Sequence, residues 1–175
     1  MNMDKLNDWL QLVGMAAVVA SLVFVGLQLK QSQEIAIAAQ YQARFDSTAL
    51  YYTTVLQSDP AMRVVGQEVL DALLSSADVP SNMKAWATDQ PIDELAYRAV
   101  TGVMQLKVYD NLHYQYQAGF ISEEAWHAIR IDFRKDLMDP RRWARLVYER
   151  KPDVWRDSYR ELIHELIDEN ESAVQ

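Results

Sequence analysis

Residues 9–29 read WLQLVGMAAVVASLVFVGLQL, 21 consecutive positions without a charged side chain. At the α-helical rise this stretch makes roughly 31 Å of helix, which matches a hydrocarbon core of about 30 Å. From Leu12 to Leu27 only Gly14, Ser21 and Gly26 interrupt a run of Leu, Val, Ala, Met and Phe. A helix that is apolar on every side has no polar stripe to turn toward water. Trp9 stands at one edge, where an indole favours the headgroup level, and Gln11 and Gln28 stand where amides reach water. Residues 1–30 are therefore expected to form a single-pass transmembrane anchor embedded in the lipid bilayer. Trp9, Leu12, Gly14, Ala16, Ala20, Ser21, Phe24 and Leu29 mark the span.

Two other readings compete with the anchor. A cleaved leader wants a positive start and a small-residue cleavage site close behind its apolar core. Here Lys5 is offset by Asp4 and Asp8, and the candidate site Ala36-Ile37-Ala38 lies past Lys30 and Glu34. A buried helix of a soluble domain would normally show a polar stripe, which this one lacks. Orientation is weakly encoded, because Lys5 on one side is balanced by Lys30 and the later Arg44 on the other. Ala16 with Ala20, and Ala17 with Ser21, are small-residue pairs that permit close helix approach and hence pairing through the anchor.

Outward from the anchor the chain reads as helices only. No turn signal follows Lys30 until Ser58-Asp59-Pro60, so the anchor is expected to continue as a stalk helix over 31–57. Ser32, Ala36, Ala39 and Ala43 line one face of that stalk, where a second helix could pack closely. Asp59-Pro60 then reads as an acidic N-cap with proline at the first helical position, opening a helix over 60–74. Residues 75–91 hold two prolines and several turn formers and read as a loop, with Trp86 tucking it onto the bundle. Further helices are expected over 91–117, stopped by Gly119, and over 122–138, capped by Ser122. Two more follow over 140–150 and 153–169, then a tail at 171–175. The final helix carries Trp155, Tyr159, Leu162 and Leu166 as one stripe. No stretch alternates between hairpin turns, so the fold class is all-α: a transmembrane helix, a stalk, and a compact antiparallel bundle within residues 31–170.

Composition removes several chemistries. The 175 residues include no Cys, which excludes disulfides, thiol nucleophiles, thiolate zinc and iron–sulfur clusters. Five scattered glycines build no phosphate cradle, and no serine-hydrolase, zinc-protease, Walker or dinucleotide motif occurs. The net charge of −8 argues against nucleic acid as a partner. No catalytic or cofactor-binding residue is nominated, and no cofactor is expected.

Two clusters carry chemical ideas. All three histidines stand in carboxylate-x-x-His settings: Asp110 with His113, Glu124 with His127, and Glu161 with His164. Residues three apart share a helix face, and di-iron carboxylate bundles use two such pairs plus two further glutamates, for which Glu68 and Glu94 are available. The opposing reading is that these are solvated or core histidines in a charged sequence. The second cluster is the segment 130–160, which holds ten basic against six acidic residues, while the tail from Glu161 holds five acids and neither Lys nor Arg. Arg141, Arg142, Arg145, Arg150, Arg156 and Arg160 interleave there with Trp143, Tyr148, Trp155 and Tyr159. Such a patch could lie on anionic lipid headgroups. Equally, the aromatics could be core and the arginines paired with neighbouring acids, a reading favoured by the Trp155–Leu166 stripe.

Three stretches have a familiar order: Leu22-Val-Phe-Val-Gly-Leu-Gln-Leu-Lys-Gln31, then Asn111-Leu-His-Tyr-Gln-Tyr-Gln-Ala-Gly119, then Glu124-Ala-Trp126. With them the chain resembles a group of short bacterial membrane-anchored helical proteins of unknown function, over most of its length. The resemblance implies an outside N-terminus and a cytoplasmic domain at the bacterial inner membrane, from a basic cluster after the anchor. This chain has Lys30-Gln-Ser-Gln33 at that place. It implies no activity, and His113 stands where the group has an aromatic residue. The expected function is a membrane-anchored interaction or scaffold protein, an accessory subunit with a protein partner or second copy engaged through anchor and stalk. The alternatives are a carboxylate/His metal-dependent bundle enzyme and an anionic-lipid surface sensor.

Overall fold

Long apolar runs punctuated by Ser-Asp-Pro, Gly119 and Lys-Pro leave the chain little but helix to form. The computed structural model describes the backbone of residues 3–139 and 142–174. Its elements are α1 (Met3–Leu56), α2 (Asp59–Ser75), α3 (Ser81–Thr88), α4 (Ile92–Gln117), α5 (Glu123–Met138), α6 (Ala144–Arg150), a 3₁₀ turn (Pro152–Val154) and α7 (Asp157–Val174). No strand occurs among the described residues, and the fold is all-α. The chain divides into two units, one ending at Tyr41 and the other beginning at Gln42.

The first unit is the greater part of α1. Its described side chains from Asn7 to Ile37 are all exposed, among them Leu12, Leu22 and Phe24, each more than 60% open. Nothing lies within 4 Å of where a side chain would start at Gly14 or Gly26. Among the described residues α1 is the one helix long and apolar enough to cross a membrane.

In the second unit the core has three parts, and α4 enters all of them. Val55 of α1, Met62 of α2 and Ala96 and Val100 of α4 form one. Leu73, Val79, Ala87, Leu95 and Trp143 form the next. The largest gathers Leu106 and Tyr109 of α4 with Phe133 and Leu137 of α5, Tyr148 of α6, and Tyr159, Ile163 and Leu166 of α7. Tyr159 is completely buried, and its hydroxyl donates to the Leu106 carbonyl at 2.8 Å, so the largest fully buried side chain brings its own polar atom to a partner.

Caps and breaks fall close to expectation, with four corrections. Ser58 rather than Asp59 caps α2, its hydroxyl accepting from the Ala61 amide, while Asp59 sits in the first turn, where the helix dipole favours an acid. Ser122 caps α5 as expected, and Gly119, at φ +80°, ends α4 in the left-handed conformation that glycine adopts without strain. The expected loop 75–91 contains α3. Its Ala87 is fully buried, Trp86 meets Trp143 edge to face at 5.8 Å, and Lys84 donates to the Leu74 carbonyl at 3.0 Å. Tertiary burial, rather than local propensity, makes that helix.

The helix expected over 140–150 begins only at Ala144, because Trp143 takes φ 57° and breaks it. The left-handed conformation costs an L-residue about 1–2 kcal/mol, which burial of the indole offsets. Pro140 and Arg141 lie outside the described residues. Lastly, the stretch expected to start a helix at 153 forms the 3₁₀ turn, and α7 starts at Asp157. It continues through Val174, absorbing the expected tail up to there.

Gly66 decides how closely α2 can approach α4. A Cβ there would strike the Ile92 carbonyl oxygen and crowd its Cγ2. Backbone cannot rotate away, so the clash outweighs the helix propensity that alanine gains, about 1 kcal/mol. Gly66→Ala is expected to destabilise the second unit by about 2 kcal/mol or more, read as a lower urea midpoint by circular dichroism.

Candidate functional site

Residues 109–113 of α4 read Tyr-Asp-Asn-Leu-His, and of these Tyr109, Asp110, Asn111 and His113 are buried. Neighbouring positions on a helix point about 100° apart, so each meets a different element. Tyr109 stacks on Phe133 at 4.2 Å, and its hydroxyl donates to Asp136 Oδ2 at 2.9 Å. Gln105 donates to the same oxygen, and Arg142 pairs with the other at 3.0 Å. Burial, then the hydrogen bond to Asp136, pushes the Tyr109 hydroxyl well above the usual tyrosine range.

Asp110 is held by Arg156, whose Nε donates to Oδ1 at 2.9 Å and whose Nη2 reaches the Asp110 backbone carbonyl at 2.9 Å. A buried carboxylate needs such a partner, and a guanidinium supplies charge and direction together. Asn111 donates to Gln42 Oε1 of α1 at 3.0 Å, where Gln115 also donates. Three consecutive residues of α4 thus engage α5, the lead-in to α7, and α1.

His113 has no such bond. It is 7% exposed, lies 5.4 Å from the Trp126 ring and 6.1 Å from Tyr159, and its Nδ1 is buried without a hydrogen-bond partner. Burial chiefly, and then the Arg156 charge, lowers its pKa to about 4, with Asp110 pulling the other way. At neutral pH the imidazole is uncharged.

His113 lines a cleft of about 670 Å³ between α4, α5 and α7. One wall is aromatic: Tyr116 stacks on Trp126 at 4.8 Å, and the Tyr116 hydroxyl donates to Glu123 at 2.6 Å. The opposite wall is the α7 face of Ser158, Glu161, Leu162 and Glu165. Arg130 pairs with Glu165 at 2.9 Å and with Glu169. Among the described residues Glu161 and His127, both on the cleft, have no hydrogen bond or ion pair.

Of the six candidate metal ligands, His113, His127 and Glu161 line this one cleft, and the other three do not. Asp110 is committed to Arg156, so it is not shared with His113. Glu124 is exposed in the first turn of α5 and does not line the cleft, although His127 does. Glu161 faces the cleft, while His164 bonds through Nε2 to the Tyr148 hydroxyl at 2.9 Å. Of the supplementary pair, Glu94 is held by Arg98 at 2.7 Å. No three His, Asp or Glu among the described residues come together as a metal ligand set.

The interleaved basic segment sorts by chemistry. Trp143, Tyr148, Trp155 and Tyr159 are core. Arg142 pairs with Asp136 and Asp139, Arg145 with Glu149 and Glu171, and Arg160 with Asp153 and Asp157. Arg150 donates through both terminal nitrogens to the Ala72 carbonyl near the end of α2. Arg141 lies outside the described residues.

Sequence reasoning did not find Gln42, Tyr116 and Trp126 as parts of the site. The DNxH run, set among the tyrosines Tyr109, Tyr114 and Tyr116, was the available signal.

These features define an all-α chain in which a helix of membrane-crossing length precedes a helical unit with one polar-lined cleft beside a buried histidine. No known protein family, curated protein or solved structure matches the chain.

The histidine makes stability depend on pH. Its pKa is near 4 when folded and about 6.5 when unfolded, so the unfolded state binds more protons between those values. Stability is complete above pH 6.5 and falls as pH drops, by about 1.4 kcal/mol per unit. Between pH 7.5 and 5 the loss attributable to His113 is expected to be about 2 kcal/mol, measured as the difference in urea stability between the parent and His113→Phe.

Proposed function

We propose that this protein is a single-pass membrane-anchored interaction module, an accessory or scaffold subunit whose helical unit lies in the cytoplasm at a bacterial inner membrane. In this reading it belongs with the short bacterial membrane-anchored helical proteins that it resembles. The observation that carries the proposal is the uncovered apolar length of α1. Twelve large apolar side chains from Leu10 to Leu29 are each at least 45% exposed. Each would gain about 1.5–3 kcal/mol on leaving water, on the order of 20 kcal/mol in total, and lipid is the environment that takes a helix apolar all round. Beyond the span, Ile35 and Ile37 are 53% exposed beside Ala36 and Ala39. That stalk surface suits a partner helix or a second copy.

Two features favour an interaction module over the alternatives. The described arginines of the 130–160 segment spend their charge on neighbouring carboxylates and carbonyls, which weighs against a lipid-sensing patch. Of the candidates for a metal enzyme, Asp110 and His164 are engaged by Arg156 and Tyr148, and no three His, Asp or Glu among the described residues come together as a ligand set.

The absence of Cys makes each introduced thiol unique. Full-length chain is expected in the membrane fraction, resistant to alkaline extraction and released by detergent. A chain lacking residues 1–30 should be soluble. Asp8→Cys should react with an impermeant maleimide in intact bacteria, and Ser172→Cys only after permeabilisation. Recovery of the full chain in the soluble fraction defeats the anchor, and the reversed labelling pattern defeats the orientation.

A further inference from the structure

We infer that the cleft between α4, α5 and α7 is a docking site for a basic segment of a partner protein, one Arg or Lys side chain seated against Glu161 and the Tyr116–Trp126 wall. This rests on the interaction-module reading and gives it a place and a partner chemistry.

Charge comes first. Glu123, Glu161 and Glu165 line the cleft against one cation, Arg130, which already serves Glu165 and Glu169. Glu161 is left without an ion pair among the described residues. From Glu161 onward the chain carries five acids and neither Lys nor Arg, so the field at the α7 wall favours a cation. Tyr116, stacked on the buried Trp126, lines the cleft beside those carboxylates and supplies the aromatic contact that suits a guanidinium.

His113 is the independent observation. It is more than nine-tenths buried, lines the cleft, and makes no hydrogen bond. With Nδ1 sealed inside the protein, Nε2 is the nitrogen left to face the cleft. A neutral imidazole has one N–H and one lone pair, and an orphaned acceptor is more readily tolerated than an orphaned donor. The proton therefore belongs on Nε2, where it offers a donor to a guest. A guest that is cationic and also carries an uncharged acceptor answers both demands. A peptide does so, with a backbone carbonyl for His113 and a basic side chain for Glu161. A bare metal ion offers no acceptor, and an anion would meet the carboxylates.

The test uses full-length protein in an uncharged detergent and a fluorescein-labelled Gly-Arg-Gly-Arg-Gly peptide, followed by anisotropy, with histidine ring resonances followed by NMR. Saturable binding is expected. It should weaken at least about fivefold in Glu161→Gln and in His113→Phe and stay unchanged in Glu68→Gln on the outer face of α2. The His113 resonances should shift on binding. Circular dichroism verifies that each variant is folded, and if His113→Phe is not, the Glu161→Gln result and the NMR shift decide. No binding up to 1 mM peptide overturns the proposal, as does binding indifferent to Glu161→Gln. Displacement by free arginine at the peptide's own affinity also overturns it, since the guest is then a small cation. If detergent-extracted protein runs as a larger assembly regardless of both cleft substitutions, the cleft is removed while the interaction module stands.

Discussion

The helical unit depends on α4 being largely covered by its neighbours. Its apolar positions enter all three parts of the core. The buried face of such a helix must still satisfy whatever polar groups it carries, because an unpaired buried group costs about as much as several good contacts supply. The run Tyr109-Asp110-Asn111 turns that requirement into architecture. Each of the three side chains finds a partner on a different element, Asp136 of α5, Arg156 ahead of α7 and Gln42 of α1, although the Asn111 Oδ1 stays buried without one. The bonds are directional, and they register helices that apolar packing alone would let slide.

His113 continues this run but breaks its rule. It has the burial of a core residue and the chemistry of a site residue, and the aromatic rings around it satisfy neither nitrogen. The protein keeps it neutral by burying it and by setting the Arg156 cation nearby. Arg156 therefore holds Asp110 and helps hold His113 uncharged. That coupling ties the buried polar core to the one cleft whose walls pair carboxylates with an aromatic stack.

Much of the architecture was legible in the sequence, because it rests on local physics. Ser122 and Gly119 mark helix ends through capping and through a left-handed backbone, and both act where they stand in sequence. Tyr159, Leu162 and Leu166 face the core together because a 3.6-residue period sets them on one side of α7, while Trp155 joins them from the turn before it. Reading failed where long-range packing overrides local preference. Prolines at 80 and 91 suggested a loop, yet burial of Ala87 and the Trp86–Trp143 contact sustain α3 between them. Asp139-Pro140 read as a helix start, yet the turn at Trp143 delays α6, and Gly102 on α4 is what leaves room for it: a Cβ there would come within 3.2 Å of the Arg142 carbonyl oxygen. The site was least legible. Sequence spacing paired Asp110 with His113 across one helix turn, whereas an arginine 46 positions away claims the aspartate.

The sequence by itself determined that the chain is helical throughout and that its first helix is apolar enough and long enough for a bilayer. Both follow from residue types and short-range periodicity, which need no partner to act. Only the tertiary structure decided which charges neutralise one another, which aromatics are core, and which histidine is buried without a partner. Those outcomes depend on side chains far apart in sequence meeting within a few ångströms. The basic segment that looked like a membrane-facing patch is largely spent on internal ion pairs, and the cleft exists only because α4, α5 and α7 converge beside an unpartnered imidazole.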